Sequence, residues 1–186
     1  MSRITPLEAP FDPETDETLA AMMPPGAAPI ALFRTFAHNL PMTTAMRGWG
    51  SYELSRELSI SMRQRELVID RVTARCGCEY EWGVHVAFFA GRVGLTPPEL
   101  ASLTHGAPTD ACWRDPAERA LLRLVDSLHD TADVDDATWT DVKQHFDDRQ
   151  LLDVLLLAGW YHAISFVANA ARLQLEPGAP RLADVA

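Results

Sequence analysis

The segment from Leu151 to about Leu173 is apolar at nearly every position. As a helix it is apolar on most of its faces, and such a helix has to be buried. The burial is either at the centre of a domain or at an interface between subunits. The segment therefore predicts a helical core, and it also favours self-association of the chain.

The rest of the chain has the pattern of helices separated by short loops. Ser61 followed by Gln64, and Thr96 followed by Glu99, have the spacing of capping boxes, which begin helices. Gly77 interrupts one helical stretch, because glycine is costly inside a helix and favourable at its ends. The predicted helices cover approximately residues 29–38, 41–56, 61–75, 78–92, 97–103, 116–128 and 151–173, with shorter helices starting after residues 12 and 135. Since no alternating β pattern occurs, the sequence predicts one all-α domain over residues 1–186 with about eight helices.

Charge and composition exclude several classes of protein. The formal net charge is −10, whereas recognition of a phosphate backbone needs clustered lysine and arginine. No uninterrupted apolar run approaches the roughly eighteen residues that cross a bilayer, and the N-terminus does not resemble a secretory signal. We therefore expect a cytoplasmic protein that binds neither nucleic acid nor a membrane. Three cysteines (Cys76, Cys78 and Cys112) are an odd number, which predicts free thiols rather than a disulfide framework.

One helical stretch contains most of the residues that are able to perform chemistry. Cys78, Glu81, Trp82 and His85 are three, four and seven positions apart, so they share one face of a helix. This face places a thiol, a carboxylate and an imidazole within mutual reach, with an indole beside them. Glu66, on the preceding helix, joins them if the turn between the two helices lets them fold back on one another.

Each member of this group has a definite chemical capacity. The backbone N–H groups at the start of a helix favour a thiolate at Cys78 and therefore a more nucleophilic sulfur. Glu81 and His85 are placed to form a hydrogen bond that fixes the imidazole tautomer and raises its basicity. Such a pair moves protons as a general acid and base.

Structural explanations compete with these functional ones. A cysteine in such a segment is usually a small buried apolar residue, and a Glu–His pair four residues apart is often solvated. A zinc site built from Cys76, Cys78, Glu81 and His85 is a further alternative, but Cys-Gly-Cys lacks the Cys-x-x-Cys spacing of most structural zinc sites. We therefore expect neither a metal nor another cofactor.

Two polar residues lie on one face of the long apolar segment. His162 and Asn169 are seven residues apart, and polar groups in so apolar a helix need partners. Most buried polar side chains bond to backbone or water, so backbone or subunit contacts are favoured for both residues. A contact with substrate is the alternative, for which His162 is the candidate.

Several of these residues together resemble a known family. The motif Arg65-Glu66-Leu67, then Cys78-x-x-Glu81-x-x-x-His85, and then Gly94-Leu95-Thr96 resembles the carboxymuconolactone decarboxylase family, which includes alkyl hydroperoxidase D. The match is best over about residues 61–104. The second half of the chain is similar in outline, including residues 160–170 and 176–180.

The resemblance implies an all-helical fold that assembles as a homo-oligomer, usually a trimer or hexamer, with its site near the Cys/His helix. In the peroxidase branch a Glu, two cysteines and a His act together, and Glu66, Cys78 and His85 match three of these positions. Glu81 occupies the position of the second cysteine, where a carboxylate is unable to attack peroxide or form a disulfide. The resemblance is therefore closer to the decarboxylase-like branch, in which His and carboxylates transfer protons.

Three functional hypotheses follow from these observations. The first is a cofactor-independent enzyme acting on a small organic acid or lactone, with His85 as general acid and base, and with Glu81 and Glu66 as its carboxylates. Tyr80 and Trp82 would line its pocket. The second is a peroxidase-like oxidoreductase that uses the thiol of Cys78, with Cys76 as its partner. The third is a non-catalytic oligomeric binding protein that keeps the fold without the chemistry.

Overall fold

The computed structural model describes residues 1–185, which form nine α-helices and no β-strand. This confirms the predicted all-α fold class. The helices are α1 (Pro13–Ala20), α2 (Ala31–Phe36), α3 (Leu40–Glu53), α4 (Met62–Arg75), α5 (Glu79–His85), α6 (Pro97–His105), α7 (Pro116–Thr131), α8 (Asp136–Val142) and α9 (Asp148–Ala171). A 3₁₀ turn (Ala37–Asn39) joins α2 to α3, and another 3₁₀ turn (Leu182–Asp184) lies near the C-terminus.

The predicted helix-start signals act as capping boxes in the structure. The Ser61 hydroxyl accepts a hydrogen bond from the backbone N–H of Gln64, whose side chain accepts one from the Ser61 N–H. At the start of α6, the backbone N–H and the hydroxyl of Thr96 both donate to Oε2 of Glu99. These contacts satisfy N–H groups that have no partner within the helix. Because the partners are only three residues apart, the starts of α4 and α6 could be predicted from the sequence.

Helix α4 lies at the centre of the fold and packs against α7 and α9. Helices α5 and α6 also contact α4. Its largest cluster of buried apolar side chains includes Leu67 and Val72 of α4, Leu124 of α7, and Val154 and Leu157 of α9. Apolar area removed from water in such a cluster contributes about 25 cal/mol per Å². Helix α4 is thereby held from several sides, which fixes the position of the side chains it carries.

Helix α9 corresponds to the apolar segment that begins at Leu151, and only one of its faces is buried in the core. Leu152, Leu156 and Phe166 are exposed on its opposite face. The helix is long and apolar enough to cross a membrane by length and composition, which the sequence analysis did not anticipate, but half of its most apolar window is buried inside the protein. A core helix of a soluble protein passes the same test.

The turn after α4 folds α5 back onto it. The N–H of Gly77 donates to the carbonyl of Ala74, and the N–H of Cys78 donates to the carbonyl of Thr73, which is the Schellman pattern of helix ends. Gly77 has φ of +58°, a left-handed conformation that glycine adopts without a Cβ penalty. The single glycine therefore reverses the chain between the two helices that carry the predicted site.

The predicted helix over residues 78–92 is interrupted in the structure. The α-helical part ends at His85, and Val86–Ala90 forms a π-helical segment before the turn at Gly94. Single π turns occur often at functional sites, because they change the direction in which side chains project. Here the irregular segment starts directly after the histidine that the sequence singled out.

Candidate active site

The centre of the site is a buried pair formed by Glu66 of α4 and His85 of α5. Oε2 of Glu66 lies 2.8 Å from Nδ1 of His85, and both side chains are almost completely inaccessible to solvent. The turn at Gly77 brings these residues together although 19 positions separate them. The spacing of four residues predicted that Glu81 orients the imidazole, but Glu66 makes the shorter contact.

Arg65 binds the other oxygen of Glu66. Its Nη2 lies 2.6 Å from Oε1, its Nε lies 2.7 Å from the same atom, and its Nη1 donates to the carbonyl of Leu54. Phe89 of the π segment covers this pair, with its ring stacked on His85 and 5.0 Å from the Arg65 guanidinium. The carboxylate is thus bound through both oxygens in a dry environment, which fixes the orientation of the imidazole.

The second nitrogen of His85 faces two further polar groups. Its Nε2 lies 3.1 Å from the hydroxyl of Tyr161 on α9 and 3.5 Å from Oε1 of Glu81. The other oxygen of Glu81, Oε2, is buried and has no hydrogen-bond partner among residues 1–185. Tyr161 was missed in the sequence analysis, since only long-range packing places its helix against α5. The only sign of Tyr161 in the sequence is that it places a phenol in a largely apolar helix. A buried phenol hydroxyl needs a hydrogen-bond partner.

His85 is cationic at neutral pH. Burial lowers the pKa of this imidazole, but the charge and hydrogen bond of Glu66 and the contact with Glu81 outweigh burial and raise the pKa to about 10. Burial, together with the charges of Glu81 and Glu66, raises the pKa of Tyr161 well above its ordinary value of 10.0, so that side chain is a neutral phenol. A proton donor and a neutral hydroxyl therefore lie side by side.

Asp70, one helical turn after Glu66, is fully buried beside this group. Neither of its carboxyl oxygens has a hydrogen-bond partner within the described part of the chain. Burial and the negative charge of Glu66 raise the pKa of Asp70 well above its ordinary value of 3.8. The folded protein therefore favours the protonated form of Asp70, because ionising it would place two like charges together in a low dielectric.

A cavity of about 300 Å³ opens onto His85, Glu81 and Tyr161. The remaining lining comes from the segment before α2, from α2, α3 and α9, and from the π segment, and it is mainly apolar. Arg47 on α3 is the one lining residue with a fixed positive charge, and it is exposed. The main apolar side chains of the wall are Leu32, Phe33, Phe36, Met46, Phe88, Phe89, Trp160 and Ile164.

Cys78 does not share the cavity with Glu81 and His85. Its side chain has no accessible surface and packs in the apolar cluster that contains Leu32, Phe36 and Ile164. Burial raises the pKa of the Cys78 thiol to about 11, which is the opposite of the thiolate expected at a helix start. The low dielectric around the sulfur outweighs the field of the short helix α5.

Three further predicted site residues also lie outside the cavity lining. The Tyr80 hydroxyl donates to Glu176 at 2.5 Å and accepts from the N–H of Leu32 at 3.0 Å, so Tyr80 ties the C-terminal segment to α2. Trp82 is fully buried, and its Nε1 has no partner among the residues described. His162 faces His129 of α7 rather than His85.

The fold and this site define an all-helical protein with a buried acid–base centre beside an apolar cavity. The model of the carboxymuconolactone decarboxylase family matches residues 42–127, which include Glu66, Glu81 and His85. The resemblance predicted from the sequence is thereby confirmed. Among curated protein sequences, none matches this chain.

Solved structures share the fold over almost the whole chain. An uncharacterized peroxidase-related protein from Silicibacter sp. TM1040 has a TM-score of 0.77 at 19% identity, covering 95% of this chain and 94% of that one. The alkylhydroperoxidase AhpD core of a peroxidase-related protein from Ralstonia eutropha JMP134 has a TM-score of 0.78 at 15% identity, covering 94% and 93%. The debrominase Bmp8 in complex with 2,3,4-tribromopyrrole has a TM-score of 0.77 at 14% identity, covering 95% and 93%. The fold is therefore AhpD-like.

Proposed function

We propose that this protein is a cofactor-independent enzyme that transfers protons on a small, largely apolar organic acid. The observation that carries the proposal is the chain of contacts from Glu66 through His85 to Glu81 and Tyr161 at the wall of the apolar cavity. A group that moves protons has to be held in one orientation and shielded from bulk water. Glu66 supplies the first condition and Phe89 contributes to the second.

His85 is the proton donor of the proposed reaction, and Glu81 is the proton acceptor. In a decarboxylation the C–C bond to the carboxyl group breaks, its electron pair stays on the organic fragment, and His85 protonates that carbon as CO₂ leaves. A proton taken up from solvent then restores the charged imidazole. In a transfer between two carbons, Glu81 removes one proton and His85 adds another. The proton then passes from Glu81 to His85 across the 3.5 Å contact, which restores the starting state.

The cavity indicates the class of substrate. A volume of about 300 Å³ is at the lower end of the range for ligand pockets, and an apolar wall with a few polar groups is typical of small-molecule sites. Arg47 lies at this wall and forms no ion pair with a carboxylate of the described residues. Its guanidinium is therefore free to bind the carboxylate of a substrate whose apolar body fills the cavity. The structural similarity to a protein crystallised with a brominated pyrrole supports a substrate of one ring.

A thiol-dependent peroxidase is the competing function, and structural relatives described as peroxidase-related favour it. A peroxidatic cysteine has to be accessible and readily ionised. Cys78 is neither, since it is fully buried, its pKa is raised, and it does not line the cavity. The proposed mechanism for this reason uses His85 and Glu81 rather than the thiol.

The test uses the wild type and three variants with a panel of carboxylated lactones and β-keto acids in D₂O. NMR detects both deuterium incorporated at carbon and loss of the carboxyl group. His85→Gln removes the proton donor, and we expect turnover to fall by about 10²- to 10⁴-fold. Arg47→Met is expected mainly to raise KM, because it removes binding rather than chemistry.

Cys78→Ala separates the two functions. An acid–base enzyme retains most of its turnover in this variant, whereas a thiol enzyme loses it. If the wild type leaves every compound of the panel unchanged, or if His85→Gln is as active as the wild type, the proposed function is wrong. Peroxide consumption that disappears in Cys78→Ala would instead support the peroxidase.

Self-association is a second part of the proposal. The exposed face of α9 presents a continuous row of apolar and small residues at helical spacing. An apolar row of this kind marks an interaction surface, and its length along one straight helix suits the equivalent helix of a second copy. We expect a trimer or hexamer in the cytoplasm, where the three free thiols remain reduced. The row consists of Leu152, Leu156, Gly159, Ala163, Phe166 and Ala170.

A further inference from the structure

Outside the acid–base site, one cysteine and two histidines from three helices converge on one point. Cys76 caps the C-terminal end of α4, His129 lies in the last turn of α7, and His162 lies in the middle of α9. The Sγ of Cys76 is 3.8 Å from Nδ1 of His129, which is 3.0 Å from Nε2 of His162. All three of these atoms lie within 4.8 Å of one another, and the residues are partly exposed.

We propose that Cys76, His129 and His162 bind one zinc ion and leave its fourth coordination position open. This site differs from the zinc site weighed in the sequence analysis. In the structure Glu81 and His85 face the cavity, whereas Cys76 faces His129. The site does not depend on the proposed enzymatic function, because none of its three residues lines the cavity.

The distances suit tetrahedral zinc. With Zn–N bonds of about 2.0–2.1 Å and a Zn–S bond of about 2.3 Å, two tetrahedral nitrogens lie about 3.3 Å apart, and a nitrogen and a sulfur about 3.6 Å apart. The separations of 3.0 Å and 3.8 Å differ from these values by only about 0.2–0.3 Å. The third pair, Sγ of Cys76 and Nε2 of His162, lies within 4.8 Å, so side-chain rotations that move these atoms by about 1 Å or less bring all three onto one metal ion.

The surrounding hydrogen bonds orient the ligand atoms. Nδ1 of His162 lies 2.8 Å from the carbonyl of Ala158, so this nitrogen carries the proton and Nε2 presents its lone pair to the site. The amide of Asn169 donates to the carbonyl of Cys76 at 3.0 Å, which holds the turn that carries the thiol. These are the contacts that a second coordination shell makes, and they account for both polar residues predicted to share a face of the last helix.

The chemistry of the donors selects the metal. A thiolate with two imidazoles is a set for zinc or copper, whereas calcium and magnesium need oxygen ligands. Binding releases the proton of the Cys76 thiol to water and requires His129 to carry its proton on Nε2, which leaves a net charge of +1 on the metal with its ligands. Arg75, whose charge acts on both Cys76 and His129, is paired with Asp126 and Asp130, so its repulsion is largely compensated. With three protein ligands, the open position accepts water or a small anion.

The experiment titrates the reduced, metal-free protein with Co²⁺, which replaces zinc and has an optical spectrum. We expect one equivalent to bind and to give a thiolate-to-cobalt charge-transfer band in the near ultraviolet. Zn²⁺ added afterwards should remove the band by displacing cobalt. Each of Cys76→Ser, His129→Gln and His162→Gln should weaken Zn²⁺ binding by at least about 10- to 100-fold, the loss that outer-shell changes alone produce.

The matched controls are Cys112→Ser and His105→Gln, which remove a thiol and an imidazole elsewhere in the chain and should leave Zn²⁺ affinity unchanged. A second measurement on the wild type needs no variant: Zn²⁺ should protect Cys76, but not Cys112, from alkylation by iodoacetamide, as read by mass spectrometry. Cobalt that binds without a charge-transfer band, equal affinities in the Cys76 and Cys112 variants, or unprotected Cys76 would overturn the proposal.

Discussion

His85 lies between two carboxylates that come from different helices, and the contacts of the two carboxylates differ. Glu66 binds Nδ1 at 2.8 Å and is itself held by Arg65, whereas Glu81 is 3.5 Å from Nε2 and its other oxygen is buried without a partner among the described residues. A carboxylate with strong partners orients its neighbour, and one without them remains available to accept a proton. The proposed division of roles between Glu66 and Glu81 rests on the number of hydrogen bonds that each carboxylate makes.

The elevated pKa of His85 depends on Glu66 and is directly measurable. In Glu66→Gln the negative charge disappears while burial remains, so we expect the pKa of His85 to fall from about 10 by about 1 to 3 pH units. The measurement is an NMR pH titration of the histidine ring carbons in labelled protein, with His85→Gln used for assignment. Glu79→Gln, the same change at the first residue of α5, the helix that carries His85, should leave this pKa unaltered.

This shift also sets a pH dependence of stability. Because the folded-state pKa of His85 is raised, the stabilisation from its ion pair is fully present below 6.5 and is lost as the pH rises through about 10. The free energy of unfolding of the wild type should therefore exceed that of Glu66→Gln by less at about pH 10 than at pH 6.5. Urea unfolding measures this difference. An advantage that grows with pH over this range would contradict the assigned protonation state.

Asp70 has the opposite effect from most carboxylates of a folded protein. Its raised pKa means that its contribution is fully present below 3.8 and declines as the pH rises toward the folded-state value. Asp70→Asn removes the group whose ionisation destabilises the folded protein. The free energy of unfolding of the variant relative to wild type should therefore increase with pH. The gain is at most about 1.4 kcal/mol per pH unit, measured by urea unfolding at several pH values.

Asp135→Asn is the contrasting control, because the pKa of Asp135 is lowered by the hydrogen bonds it accepts from Thr138. Its contribution is present above 3.8 and is lost as the pH falls. Stability of this variant relative to wild type should therefore decrease with rising pH. A pH-independent difference for Asp70→Asn would mean that Asp70 is already ionised in the folded protein.

At the scale of the elements, the ends of the helices determine where the site residues lie. The turn at Gly77 places α5 against α4, and the π segment after His85 brings Phe89 over the imidazole. Helix α7 ends differently, since its C-cap, Ala132, has φ of +57° and pays the steric cost of the left-handed conformation. This end is exposed, so its cost is open to a simple test.

Ala132→Gly should stabilise the protein by roughly 0.5 to 1 kcal/mol, because relief of left-handed strain exceeds the added entropy of the unfolded chain. Ala45→Gly is the matched control, since Ala45 is exposed within α3. There the same change should destabilise the protein by up to about 1 kcal/mol. Thermal and urea unfolding measure both. Equal destabilisation by the two changes would show that the end of α7 carries no strain.

At the scale of the whole molecule, α9 has two roles on two faces. Its buried face packs on α4 and supplies Tyr161 to the site, while its other face carries the exposed apolar row. A helix that is apolar all round belongs in a core, and the chain itself covers only part of it. A second copy of the chain is the proposed cover of the remainder.

Leu156→Glu places a charge within this row and should shift the protein toward smaller species in analytical ultracentrifugation. Met62→Glu is a matched control, because Leu156 and Met62 are 51% and 50% exposed, respectively, and Met62 lies on α4 rather than in the row. The control should sediment like the wild type. If wild type is already a monomer, or if Leu156→Glu leaves the assembly intact, α9 is not the interface.

The sequence by itself determined the helices and part of the site. Capping boxes at Ser61 and Thr96 and the glycine at 77 act through hydrogen bonds between residues a few positions apart, so local patterns were sufficient. Glu66 and His85 could be connected for the same reason, since one short turn separates their helices.

The tertiary structure decided the remainder. Tyr161 is 76 positions from His85, and His129 is 33 positions from His162, so neither pair has a local signal. The burial of Cys78 and the cavity likewise depend on how α2, α3 and α9 pack against α5. Sequence spacing shows which face a residue occupies, but it does not show what the rest of the chain places against that face.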